Sequence, residues 1–143
     1  MTGAEDRPTE GTENDEATFD PMGPREFGVG LLAWIVPGAG HFLLGKHGRA
    51  IAFCLIVVTC AVIGCDLQGR LDVFMPNDPL SKIATLASAG SGAIYFALRY
   101  LVGYVGNIEA AGFEYGTTFL RTAGILNLLL VLDALDIARG RKS

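Results

Sequence analysis

The sequence predicts an all-α integral membrane protein. Four short transmembrane helices, the first broken at Pro37-Gly38-Ala39-Gly40, follow a disordered acidic N-terminal tail. Three observations predict this fold class. Half of the 143 residues belong to the set AVILMFWYC and 18% are charged, against about 25% in an ordinary soluble domain. The charge is unevenly placed, with eight acids and two arginines in residues 1–26 but seven acids and nine bases after them. The apolar residues also gather into four stretches. Such a composition excludes a large water-soluble enzyme, a nucleic-acid binder with a basic face and a disulfide-stapled secreted domain.

Residues 1–25 form the tail. Thr, Glu, Gly, Asp and Pro dominate it, and so little apolar surface cannot offset the entropy of ordering the chain. Its acidic start also differs from a signal peptide, which opens on a basic segment and an apolar run. The helical transmembrane domain is expected over residues 26–143, with spans at about 27–45, 50–67, 79–105 and 117–138.

Residues 27–45 carry no charge over 19 positions, although the Pro-Gly-Ala-Gly run interrupts them. The second span rests on 16 uncharged residues, 50–65, rich in Ile, Val, Leu and Phe. Only Lys46-His47-Gly48 separates the two, short enough for an antiparallel helical hairpin. The third opens on Asp78-Pro79, a cap followed by a proline that loses nothing at the first helical position. The fourth has an 11-residue apolar centre, 122–132, with Thr117 or Thr118 as its cap and Gly140 as its stop. A bilayer core of about 30 Å takes roughly 20 helical residues, or fewer where flanking side chains snorkel.

With four crossings the tail, the 66–78 loop and the C-terminus share one side, which carries Arg25, Arg70, Lys82, Arg139, Arg141 and Lys142. The other side has Lys46 and Arg49, so the positive-inside rule places both termini in the cytoplasm. If residues 37–40 make the first span re-entrant, three crossings remain and the termini separate.

Charged and polar residues inside spans are functional candidates by default. Here they are Arg99, Arg121, Asn127, Asp133 and Asp136. Antiparallel helices set Arg99 and the aspartates on the order of 20 Å apart in depth. Arg99 and Arg121 are therefore expected to meet Glu109 and Glu114 at the rim, and the aspartates to meet Lys82, Arg139 or water. Asn127 sits in the middle of its apolar run, as an interhelical hydrogen-bonding residue or a pore-lining one. Ala84, Ser88 and Gly92 recur every four residues, a small-residue stripe that permits close helix packing. Lys46 and Arg49 in the tight turn at Gly45 can bind anionic lipid headgroups or act as snorkelling anchors. Cys54, Cys60 and Cys65 lack metal-ligand spacing. No catalytic triad, zinc motif or phosphate loop is present, so no cofactor or metal is expected.

The run Pro37, Gly38, Ala39, Gly40, His41, Phe42, Leu43, Leu44, Gly45, Lys46, followed by Gly48 and Arg49, resembles the TM-two domain. That family is a small membrane hairpin with a glycine-rich break and a His ahead of Phe-Tyr-Leu-Gly-Arg/Lys; Leu43 stands here where the family prefers Tyr. Residues 113–119, 123–127 and 132–138 are similar to a bacterial membrane family of unknown function that joins such a hairpin to two further spans. These resemblances imply a bacterial inner-membrane protein and single out the motifs at 37–49 and 114–136.

The expected role is a non-enzymatic assembly or accessory subunit that self-associates or docks on a larger membrane complex. The alternative is a transport or channel component using the broken first helix and Asn127. A third reading, an intramembrane enzyme, would use His41 with Asp133 or Asp136.

Overall fold

The computed structural model describes residues 21–141, and every regular element among them is helical. Most of the acidic tail, residues 1–20, and Lys142 lie outside the described residues. Helix α1, Pro24–Ile35, starts with proline at its first position, and the Glu26 carboxylate accepts the Gly23 N–H at 3.2 Å. It ends because Val36 is extended ahead of Pro37 and Gly38 takes a left-handed φ of 83°. The five-residue helix α2, Ala39–Leu43, then doubles back beside α1. A Cβ on Gly40 would press on the methyl groups of Ala33 and Ala134, so only glycine permits this approach. The first apolar stretch is thus a hairpin that turns at residues 36–38.

Helix α3, His47–Asp66, runs 20 residues without a break. Its Val57, Ala61 and Gly64 face Ala123, Leu120 and Gly116 of helix α6, Phe113–Ala138, so the two long helices are antiparallel. Helix α6 starts four residues before Thr117, whose hydroxyl donates to the Phe113 carbonyl at 2.8 Å and accepts the Arg70 N–H at 2.9 Å. Gly140, at φ 71°, lies two residues beyond its end. Only α3 and α6 are long and apolar enough to cross a membrane, among the described residues.

The expected third span, 79–105, is not one helix. Helix α4, Pro79–Ala89, begins with the Asp78 carboxylate accepting the Leu80 N–H at 3.0 Å. It stops at Gly90-Ser91-Gly92, where Gly92 adopts φ 59° and ψ −124°, a region that glycine alone enters without strain. The chain then returns through α5, Ala93–Phe96, and a π-helical turn, Ala97–Leu101. The Tyr95 hydroxyl donates to the Asp72 carbonyl at 2.9 Å and the Tyr104 hydroxyl to the Cys65 carbonyl at 3.2 Å. Those contacts bring the returning strand of chain to the end of the bundle from which α4 set out.

Two hairpins therefore dip into the bundle from opposite ends. Glu26 of α1 meets Arg139 at 3.3 Å, so both ends of the described chain lie at one end of α6. The 67–78 segment lies at the other end, with Gly69 against Gly116 and Thr117. It lies at the opposite end of the bundle from both ends of the described chain, which corrects the expected arrangement; the Lys46–Arg49 turn lies at theirs. Each half of the chain reads short helix, glycine turn, returning helix, long helix, and the second half is inverted relative to the first. Small residues fill the interior, including Ala33 with Ala134 and Ala61 with Ala123. Large apolar side chains such as Leu55, Val62, Ile83, Leu101 and Leu132 face outward.

Candidate functional site

The tips of the two hairpins meet halfway along α6, at Asn127. Its Nδ2 donates to the Trp34 carbonyl in the last turn of α1 at 3.0 Å. The same nitrogen donates to the Gly90 carbonyl at the end of α4 at 2.9 Å. Trp34 reaches across as well, donating from Nε1 to the Ala89 carbonyl at 3.3 Å and standing edge-on to Phe96. These side chains satisfy carbonyls that a helix end otherwise leaves orphaned. Gly92 presses so closely on the Trp34 carbonyl that any Cβ there would collide with it, and Gly124 bears on the Ala87 carbonyl in the same way. Asn127 is fully buried, and its Oδ1 has no hydrogen-bond partner among the described residues.

Two hydrogen-bonded pairs flank this centre, six residues away on either side, about 9 Å along the helix. Toward the C-terminal end of α6, His41 Nε2 lies 2.9 Å from Asp133 Oδ2; the histidine is wholly buried, Asp133 is partly exposed, and His41 Nδ1 has no partner among the described residues. Toward the other end, Arg121 grips Asp72 through Nε at 2.6 Å and Nη2 at 2.8 Å. Ser88 Oγ donates to the same carboxylate at 3.1 Å. Burial alone would raise the Asp72 carboxyl, but the hydrogen bond and charge of Arg121, with Ser88 and Arg70 adding to them, hold it below the ordinary carboxylate range.

The structure redistributes several expected contacts. Arg121 hydrogen-bonds to Asp72, because the 69–72 segment folds inward along α6, and keeps only an electrostatic interaction with the expected Glu114. Asp133 meets His41, which α2 carries back into the bundle, while Arg139 goes to Glu26 and Lys82 sits over the Phe74 ring at the opposite end. Arg99 lies half-buried in the π-helical turn, and Asp136 is half-buried near the end of α6. The stripe of Ala84, Ser88 and Gly92 is split: Ser88 binds Asp72, and Gly92 lies past the end of α4 at the hairpin tip. Pro37 and Gly38 form the first turn, Gly40 the close contact, and Gly45, with φ 75°, the reversal before Lys46. Lys46 and Arg49 both keep access to solvent at the end that carries the termini.

Trp34, Asp72 and Tyr95 are not among the residues expected from the sequence. One signal could have found the second tip. Gly38-Ala39-Gly40-His41-Phe42 and Gly92-Ala93-Ile94-Tyr95-Phe96 share the order Gly-Ala-x-ring-Phe. The matching glycines, Gly38 and Gly92, both have positive φ and both start a returning helix.

The model of a Family of unknown function (DUF6677) matches residues 28–143. The chain belongs to this family. The match to DUF6677 takes in both hairpins and both long helices and begins after the acidic tail. No curated protein and no solved structure matches the chain.

Proposed function

We propose that this DUF6677 protein is a membrane-embedded transport or channel component whose working centre is the meeting point of the two hairpins at Asn127. The observation that carries the reading is the convergence of two helix ends, one from each inverted half, on a single buried amide. Broken helices at corresponding positions of two inverted halves are a recurrent way to build a substrate or ion site near the membrane midplane. The outward-facing leucines, valines and isoleucines support immersion of the bundle in lipid.

On this reading both termini lie in the cytoplasm. Arg25, Lys46, Arg49, Arg139 and Arg141 lie at their end of the bundle, against Arg70, Lys82 and Arg99 at the other, which fits the positive-inside rule. The same cluster of cations would hold anionic lipid headgroups near Lys46 and Arg49.

The accessory-subunit reading rests on the small-residue stripe, the short loops and the lack of a catalytic constellation; of the stripe, Ser88 and Gly92 make contacts within the bundle. The enzyme reading uses His41 with Asp133 or Asp136; His41 does meet Asp133, but no serine or cysteine among the described residues is hydrogen-bonded to that imidazole. Transport is tested by stopped-flow light scattering on proteoliposomes under gradients of small neutral solutes and alkali chlorides. Equilibration faster than in empty liposomes, and slowed by Asn127→Leu, is expected. Equilibration equal to that of empty liposomes for every solute overturns the reading.

A further inference from the structure

We infer that the groove between the first hairpin and α3 is a binding site for one anionic phospholipid, whose acyl chain lies in the groove and whose phosphate meets Lys46 and Arg49. This deepens the headgroup contact proposed above; it rests on immersion of the bundle in lipid and not on transport.

The cavity comes first. Where hairpin and helix touch, Gly38 bears on the Ala50 carbonyl so closely that a Cβ would collide with it. Around that contact α1, α2 and α3 enclose a groove of about 380 Å3, within the range of roughly 300–1,000 Å3 usual for small-molecule sites. Leu32, Val36, Phe42, Leu43, Ile51 and Leu55 form its walls, and all six are exposed large hydrophobic residues. No charged side chain lines it. Hydrocarbon is the chemistry such a lining accepts.

Charge then decides which amphiphile. The Lys46–Arg49 turn stands at the groove: the His47 ring lies edge-on to the Phe42 ring, centroids 4.5 Å apart, and Ala50 and Ile51 of the lining follow Arg49 directly. Lys46 and Arg49 take no part in the ion pairs among the described residues. Residues 27–65 contain no carboxylate at all. Cations without a counter-charge beside a hydrocarbon-lined groove match a lipid with a negative head, and the cytoplasmic leaflet proposed for this end contains such lipids. A second copy of the chain fits worse. Two-fold pairing brings the same patch together on both subunits, so Lys46 and Arg49 would approach their own counterparts.

An acyl chain in the groove touches the hairpin and α3 at once. Binding therefore holds the hairpin against the long helix and stabilises the folded protein by mass action.

The experiment is thermal unfolding of the full-length protein in detergent micelles titrated with dioleoyl phosphatidylglycerol, dioleoyl phosphatidylcholine or glycerol phosphate, with alkylation of Cys54, which lines the groove, followed by mass spectrometry. Phosphatidylglycerol is expected to raise Tm saturably by several degrees over phosphatidylcholine and to slow alkylation of Cys54 at least fivefold. Lys46→Gln with Arg49→Gln, both at solvent-accessible positions, should remove the preference between the two lipids. Ile51→Trp, which fills the groove, should weaken binding of both lipids. Equal Tm and equal Cys54 rates in the two lipids overturn the site, with no variant needed. A preference that survives in the double glutamine variant overturns it too, because the cations are then not the contact. An equal rise with glycerol phosphate, which has no acyl chain, shows that the groove is not used. Oxidative Cys54–Cys54 crosslinking in native membranes shows that a second copy covers this face instead. Solute flux separates the two proposals: a lipid effect without flux supports the groove and removes transport, and flux without a lipid effect keeps transport and removes the groove.

Discussion

The two hairpins reach the same point by different local chemistry. The first turns on Pro37 and Gly38: proline extends Val36, and glycine supplies the left-handed step. The second has no proline and turns on Gly90-Ser91-Gly92. Their flanks differ as well, with the buried His41 beside Asp133 in the first and the Arg121–Asp72 pair in the second. What they share is the tip, where each presents a carbonyl to Asn127. The comparison teaches that both hairpins meet one requirement, backbone approach at the centre, by different means of reversing the chain.

The sharpest way to break the comparison is at Gly92. A methyl group there would collide with the Trp34 carbonyl and would have to adopt φ 59°. Gly92→Ala is expected to destabilise by about 3 kcal/mol or more and to abolish a monodisperse elution peak. Gly45→Ala is the control, because Gly45 also has positive φ, 75°, but no atom within 4 Å of its Cβ position. It should lose only about 1 kcal/mol. Equal losses in the two variants would mean that φ alone matters and that the tips do not touch.

Asn127→Leu ranks next. It leaves the Trp34 and Gly90 carbonyls buried without their donor, at about 1–3 kcal/mol each, offset in part because the unpartnered Oδ1 disappears. Urea or SDS unfolding should show both hairpins loosened together, as increased protease cleavage near residues 36–38 and 90–92. Cleavage at only one tip would show that the amide clamps a single hairpin.

The difference between the tips also explains what sequence reasoning could see. The break at Pro37-Gly38 is legible because proline is incompatible with the interior of a continuing helix. Helices α3 and α6 are legible as long uncharged runs, and Asn127 as a polar residue in the middle of one. The break at Gly90–Gly92 is not, since glycine is common in membrane helices and the four-residue spacing of Ala84, Ser88 and Gly92 is also that of a packing stripe. What decides between the two is the Trp34 carbonyl, which a different hairpin brings against Gly92. Asp72 escaped for a similar reason. An acid in a connecting segment is expected in water, and its inward turn depends on Arg121, 49 residues away. Local composition reports elements; it does not report which element will meet another.

Asp72→Asn tests the flank of the second hairpin. Removing the carboxylate charge weakens two hydrogen bonds from Arg121, and with the guanidinium partly exposed the loss should be about 2 kcal/mol at pH 7. The sign of its pH dependence follows from the depressed pKa. The contribution is complete above the unfolded carboxyl value of about 3.9 and is lost as pH falls through the lower folded value. Wild-type protein should therefore lose stability on acidification in a way that Asp72→Asn does not, measured as Tm against pH. Parallel profiles for the two proteins would show that the Arg121 pair has no part in acid sensitivity.

The smallest effect compares the two ring residues in matching positions of the tips. Tyr95→Phe removes one hydroxyl whose bond to the Asp72 carbonyl, at 2.9 Å, joins neutral groups. Its loss should be about 1 kcal/mol. His41→Phe keeps an aromatic ring of similar breadth but takes away a contact to a carboxylate at 2.9 Å, and hydrogen bonds to charged groups contribute about 1.5–3 kcal/mol. The first hairpin should therefore be the more sensitive to losing its polar atom, with a Tm decrease for His41→Phe at least as large as for Tyr95→Phe. The reverse order would mean that the second hairpin, through Tyr95 and Asp72, is the one that holds the tips together, and that His41 and Asp133 contribute little to the fold.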